Sequence, residues 1–448
     1  MDNAIDAVKM ARSEGFDEAV SEFSEYRTAY LKITNSKIDS LVEKFSDSGN
    51  IFLSSKKRIL FTNIQARDKK STVSAISRAK TSIKLTVPKK DYYGIAQGPF
   101  KYSCGSGHDK KIENYDLGTV SDIACACIDA AEEEKVSKVA GAVFMQSGKS
   151  EMATSKNVKE EWRHTSARIS MRFFGKISSV QEVVASRFIS ELKPEKFVRE
   201  SVRLMNSVNK IGKIKAGTYD LIYLPSPGGS IISQVDAMAG MSVVETGSIF
   251  TKKLGKLLAN KGVSIYDDGD MKNAVSARPF DNEGYPTQRT PVIKDGVLKN
   301  YLHNFSTAKK HRTKSTGNAG LVNPDANTTV LVHKKRVKNL DALIERVDKG
   351  IVITNLWYTR YANFLTGDFS TMPRDLAIYI EKGEPKFAIR QKSVSSMLGI
   401  RVSDNLIRMM KNIECVADDT RQSASWETDF NYYFMPSMLV RDAQVSVA

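Results

Sequence analysis

The sequence predicts an α+β fold, with an N-terminal mixed α/β domain (an antiparallel sheet with helices, residues 1–211) and a larger β-rich C-terminal domain (residues 212–448). Three observations carry that expectation. In residues 1–85, apolar side chains alternate with period two between two segments at helical spacing. In the second half, the turn residues Asp295-Gly296 and Gly383 are each flanked by strand-like segments. A chain of 448 residues with 41% hydrophobic and 26% charged side chains has material for two or three ordinary globular domains.

Taken in order, residues 3–14 read as an amphipathic helix, with Ile5, Val8, Met10 and Ala11 on one side. Ala29–Thr34, Lys37–Phe45, Ile51–Leu53 and Ile59–Phe61 read as short antiparallel strands separated by polar turns, and Thr72–Ile83 returns to helical spacing. Residues 88–118 are rich in Gly, Tyr, Lys and Ser, contain Cys104-Gly105-Ser106-Gly107-His108, and lack periodicity. They read as a long, mobile surface excursion. A helix over Val120–Glu134 follows, then strands at Ala140–Gln146, Glu151–Val158 and Ser166–Phe174, and a helix opened by Pro194 that runs to Asn209. The pattern changes at Gly212–Gly217, where the domain boundary is placed. Beyond it, Tyr219–Leu224 reads as a strand and Ser230–Val244 as one helix. Past Arg278 the chain turns β-rich, with hairpins over Pro291–Tyr301 and over Leu376–Glu381 with Pro385–Ile389. No internal repeat is evident.

Several function classes fall away. No apolar run approaches the ~20 residues that span a bilayer, and Met1–Asp6 lacks a basic and apolar leader, so the expectation is a cytoplasmic protein with no membrane contact. Cys104, Cys125, Cys127 and Cys415 form neither a disulfide framework nor a C-x-x-C pair and read as reduced, small hydrophobes. The net charge of +16 is spread along the chain, with short clusters only at Lys56–Arg58, Lys309–Arg312 and Lys334–Arg336. That distribution fits a solvated surface better than a nucleic-acid footprint, which would concentrate on one element.

Tests for catalytic motifs are negative. None of His108, His164, His303, His311 and His333 is followed by Glu, and no two lie three to five residues apart, so no helix presents a zinc-binding pair. Gly148-Lys149-Ser150 has Val143 where a P-loop needs its first glycine. No nucleophile elbow is present. The pairs Asp267-Asp268 and Asp418-Asp419 read as helix caps or solvent-facing groups.

A series of segments in the second half carries more. Phe280-Asp281-Asn282-Glu283-Gly284 and Thr287-Gln288-Arg289-Thr290 lead into Val292–Leu298. Asn304–Lys309, Lys314-Ser315-Thr316-Gly317-Asn318-Ala319-Gly320 and Thr366–Ser370 follow. In order and spacing these resemble the TldD/PmbA family, whose members are also described as modulators of DNA gyrase. The resemblance is strong from Tyr219 onward and rests on layout before residue 210. Read physically, the Ser315–Gly320 loop offers backbone N–H groups to a carboxylate or peptide carbonyl, or is a tight turn under the sheet.

In that family TldD-type subunits resemble zinc peptidases with an H-E-x-x-x-H helix and a distant cysteine. The matching stretch here is Ile231–Met238, with Ser233 and Met238 in place of the histidines and Gln234 in place of the glutamate. Ser and Met are poor zinc ligands and Gln is no general base. The segment Asp429–Pro436 lacks a cysteine, and Cys415 lies too far upstream. The resemblance therefore implies the PmbA (TldE) branch: a non-catalytic subunit with no cofactor of its own, paired with a TldD-like subunit that holds the zinc. The substrate class implied is unfolded peptide, held by strand addition in an enclosed channel. His303, Arg312, Ser315, Thr316, Gly317 and Asn318 are the expected peptide- or partner-binding residues, and the isolated chain is expected to form homo-oligomers. Two other readings stand behind this one. One is a stand-alone metallopeptidase built on His303 or His311 with nearby carboxylates. The other is a basic nucleic-acid-associated modulator, for which no helix-turn-helix, zinc finger or RNP-like motif is present.

Overall fold

The computed structural model describes residues 2–65, 68–103, 107–320, 322–389, 399–424 and 432–447. Its first half is a six-stranded antiparallel half-barrel of order β3-β2-β1-β4-β5-β6. The strands are β1 (Glu18–Thr34), β2 (Lys37–Ser55), β3 (Arg58–Ile64), β4 (Lys138–Thr154), β5 (Lys159–Phe174) and β6 (Ser179–Ser186). The short strands expected from the sequence are thus pieces of strands up to 19 residues long. The outer half of β2, expected as the strand Lys37–Phe45, exposes most side chains on both faces, and the polar residues Ser46–Asn50 that join it to Ile51–Leu53 carry no alternation.

Helices cover one face of this sheet. Helix α1 (Asp2–Ser13) and α2 (Lys69–Ser82) close over Ala19, Phe23, Ile51 and Leu53. Helix α3 (Lys110–Glu113) is one turn. Helices α4 (Leu117–Glu133) and α5 (Pro194–Asn206) close over Leu31, Val143, Ile169 and Met171. The halves of the sheet are therefore two α-β-β-β-α units meeting along the β1–β4 ladder, a repeat of pattern that the residues do not show. Alternation sends Val20, Glu22, Ser24 and Tyr26 to the opposite, concave face. One end of that trough is filled by Phe280, whose ring meets Trp162 edge-on at 5.0 Å among Val20, Phe52, Ile95 and Met152.

Residues 88–103 do not form a free excursion. Ile95 and Ala96 are buried, Tyr93 N–H donates to Ser306 Oγ (3.1 Å), and Tyr102 OH donates to the Gly284 carbonyl (2.9 Å). This strap ties the two halves of the chain together. Cys104, Gly105 and Ser106 lie outside the described residues. Cys125, Cys127 and Cys415 are free thiols.

The second half is β-rich. A six-stranded sheet runs Val297–Leu298, Arg289–Lys294, Val263–Asp268, Thr329–His333, Tyr432–Met435 and Arg421–Ala424. A larger sheet is centred on Gly217–Tyr223, parallel to Lys349–Ile353 and antiparallel to Met438–Val447. Leu221 and Tyr223 face the core between these two sheets, whereas Ile222 joins the core under α4 and α5. Among the described residues, Leu31 and Ile169 of the first half share one apolar cluster with Ile222 and Leu439 of the second. Both expected hairpins are present, with left-handed Asp295-Gly296 (φ 52° and 77°) and Lys382-Gly383 (φ 50° and 75°) at their tips.

The single helix expected over Ser230–Val244 is three: α6 (Pro225–Ile232), α7 (Gln234–Ala239) and α8 (Met241–Thr246). Gly240 (φ −57°, ψ 126°) breaks the run before α8. Helix α6 lies tight on Tyr433, where a Cβ on Gly229 would stand 2.0 Å from ring carbons. Gly229→Ala is accordingly expected to lower unfolding stability by about 1–3 kcal/mol, seen as a lower urea midpoint at unchanged slope.

Candidate functional site

The stretch aligned with the family's zinc helix does not assemble a ligand set. Ser233 is the joint between α6 and α7, Gln234 opens α7, and both are half-buried. Met238 is sunk in the core, 1% exposed. A buried thioether, a hydroxyl at a helix joint and an amide do not fit a divalent zinc ion. Among the described residues, no three His, Cys, Asp or Glu side chains are grouped to hold a metal. Of the expected Asp429–Pro436 segment, residues 429–431 lie outside the described residues.

The Ser315–Gly320 loop turns inward. Ser315 Oγ donates to the His303 carbonyl (3.2 Å), as does Thr316 N–H (3.2 Å), and His303 N–H donates to Thr316 Oγ1 (2.7 Å). Gly317 takes φ 70°, and a Cβ there would meet the Pro286 carbonyl at 2.3 Å. Asn318 is 1% exposed and donates from Nδ2 to Asp267 Oδ2 (2.6 Å) and to the Asp325 carbonyl (2.9 Å). The carboxylate that this loop receives belongs to its own chain: Ala319 N–H donates to Asp281 Oδ2 (2.9 Å).

Asp267, expected at the surface, is fully buried. Its Oδ1 accepts from the N–H groups of Asn327 (2.6 Å) and Thr328 (3.2 Å), and Oδ2 also accepts from Asn327 Nδ2 (3.0 Å). Burial raises its carboxyl to about 6, against the pull of these donors. Asp236 on α7, also fully buried, is driven well above the usual range by burial and then by the Asp267 charge. Asp281 accepts the N–H groups of Glu283 and Tyr285 (2.9 Å each) and is likewise raised to about 6 by burial. The parity of Val263, Ile265 and Asp267 on one strand was the available signal that Asp267 points inward.

His303 precedes helix α9 (Phe305–Lys310), which is closed by an Asn304/Thr307 capping box. Its Nδ1 lies 3.2 Å from Thr307 Oγ1, and its ring is 5.9 Å from that of His311. His311 Nε2 pairs with Glu245 Oε1 (2.6 Å), and Lys310 Nζ with both Asp91 (2.7 Å) and Glu245 (3.0 Å). Arg312 is exposed and left-handed (φ 54°) past the helix end. The structure thus brings His303 and His311 together but leaves Arg312 outside.

Beside this cluster a cavity of about 200 Å³ opens between the half-barrel, the strap and the C-terminal half. Val20, Phe52, Ile59 and Phe61 supply apolar wall, and Glu22, Asp91, Glu245 and Glu283 line it with carboxyl groups. Burial raises the carboxyls of Glu22 and Glu283, the latter well above its usual range with the Asp281 charge adding to the effect. Seven separate stretches of chain build this site, and sequence patterning did not reveal it.

With that geometry in view, the PmbA/TldA metallopeptidase C-terminal domain matches residues 216–447. The chain belongs to the PmbA/TldD family. Among relatives, the metalloprotease PmbA homologue of Haemophilus influenzae is 26% identical over 261 residues, 57% of this chain and 51% of that protein. The chain thus spans about half the length of this relative. The metalloprotease TldD homologue of Buchnera aphidicola subsp. Acyrthosiphon pisum is 30% identical over 37% of this chain and 35% of its own. The crystal structure of TldE from Thermococcus kodakarensis shares the fold, with TM-score 0.84 at 18% identity, covering 99% of this chain and all of that one. No described helix is long and apolar enough to cross a membrane.

His303 is 5% exposed, and burial, followed by repulsion from His311, holds its imidazole down to about 4. The folded chain leaves His303 unprotonated until about pH 4, whereas an unfolded histidine takes a proton below about 6.5. Acid therefore favours the unfolded state across that window, and the stabilising contribution present above it is lost on descent. Against His303→Asn, the stability advantage of the native chain should shrink by about 2–3 kcal/mol from pH 7 to pH 4, measured by urea unfolding at each pH. Asn318→Ala, which strips Asp267 of its 2.6 Å donor, should cost about 1–3 kcal/mol at pH 7 by the same assay.

Proposed function

We propose that this PmbA/TldD-family chain is a non-catalytic, TldE-like subunit that works in the cytoplasm beside a TldD-like zinc metallopeptidase. In this reading it forms one wall of a channel that holds unfolded peptide, and the partner supplies zinc and the hydrolytic step. The observation that carries the proposal is the burial of Met238 in the core, with Ser233 and Gln234 at the other positions of the motif stretch. A helix that packs this way serves the core, and its side chains at the motif positions offer neither metal ligands nor a general base. Family membership, the TldD homologue among the relatives and the fold shared with a TldE structure support the pairing. The concave half-barrel face gives a trough in which an extended peptide can lie. His303 and His311 come together with Glu245, but they make no metal-holding group among the described residues, which disfavours the stand-alone peptidase.

The test is co-expression with a TldD-like subunit, followed by size-exclusion chromatography, metal analysis and a peptidase assay. The expected result is a zinc-free isolated chain without activity, and a complex that holds zinc and cleaves unstructured peptide. Stoichiometric zinc and peptidase activity in the isolated chain would sink the proposal.

A further inference from the structure

We propose that the cavity between the half-barrel and the C-terminal half is a binding site for a primary ammonium group carried on a short apolar stem. Asp91 and Glu245 already have cations, since Lys310 bridges them and His311 meets Glu245. Glu22 and Glu283 make no ion pair among the described residues. Glu283 is 8% exposed and accepts the Phe305 N–H at Oε2 (3.0 Å), and no described residue donates to its other oxygen. Glu22 is half-buried and opens onto the cavity, with the Arg278 charge acting on it. No described residue donates a hydrogen bond to either of its oxygens.

Asn50 Oδ1 and Asn282 Oδ1 already accept from Asn63 and Arg278, and Lys89 is the one cation among the described lining residues. A ligand that completes this site must bring positive charge and donors to the open carboxylate oxygens. An ammonium group has three donors and no acceptor. It also returns buried carboxyls to their charged form, offsetting the cost of their burial. Phe52, Phe61 and Val20 provide the surface for its carbon stem, and the two rings can face the cation. An acidic cavity in a chain of net charge +16 does not follow from bulk composition. Two sources share this chemistry, a peptide N-terminus and a lysine side chain. The site stands whether or not the chain pairs with a catalytic subunit.

Calorimetric titration of the full chain with pentylammonium and with pentanol tests the proposal directly. Saturable binding of the amine, with the alcohol about tenfold weaker or more, is expected. Glu22→Gln should weaken the amine by about tenfold at unchanged melting temperature. Two unstructured octapeptides then compete with pentylammonium, one with a free N-terminus and no lysine, the other N-acetylated with a single lysine. The peptide that displaces the amine names the source. Equal affinity for amine and alcohol, no saturable amine binding, or an unaffected Glu22→Gln protein each overturns the assignment. If that variant does not fold, the comparison of amine with alcohol on the native chain decides alone.

Discussion

Two buried aspartates hold the centre of this molecule. A carboxylate removed from water costs several kcal/mol unless donors surround it. Asp267 recruits its donors from distant chain segments, and Asp281 joins two from its own turn to one from a distant loop. Asp267 gathers Asn318, Asn327 and Thr328, while Asp281 gathers Glu283, Tyr285 and Ala319. Strand Val263–Asp268, the turn after Phe280 and the loop from Ser315 are thereby fixed to one another. Phe280, next to Asp281, is seated in the end of the half-barrel, so the same network sets how the two halves meet. The cavity follows from that, since Asn282, Glu283 and Gly320 on its wall are carried by those segments.

Much of the fold was legible because local physics decides it. The left-handed Asp295-Gly296 tip needs residues that tolerate positive φ, and the sequence supplies them. The amphipathic helices over residues 3–14 and 120–134 bury the faces their spacing marks. What was lost is tertiary in origin. Glu18–Ser24 of β1 is covered on both faces and Ser46–Asn50 of β2 is polar throughout, so no alternation reveals them. The break at Gly240 depends on the extended backbone that glycine takes before α8. Asp267 was misread because a charged pair suggests solvent, although its parity with Val263 and Ile265 pointed inward. The cavity was invisible because its walls come from segments remote in sequence, and no local pattern encodes their meeting.

In the stretch Ile231–Met238, packing governs which side chains are accepted. Where it packs Met238 inward and rests on Tyr433 through Gly229, side-chain identity is set by volume and close approach. The loop Ser315–Asn318 is committed inward in the same way, its hydroxyls and amides bonded to His303, Asp267 and Asp325.

The paired α-β-β-β-α units of the half-barrel have a topological consequence. The strap over the cavity is the linker between them, yet their association rests on the β1–β4 ladder, which runs from Val20–Thr154 to Ile33–Gly141. Covalent continuity through the strap and cohesion of the sheet are therefore separate properties. A chain nicked within residues 88–103 would stay a single particle, two complementing fragments zipped along one seam. What it would lose is the roof of the cavity, so closure of that chamber can vary without disturbing the scaffold beneath it.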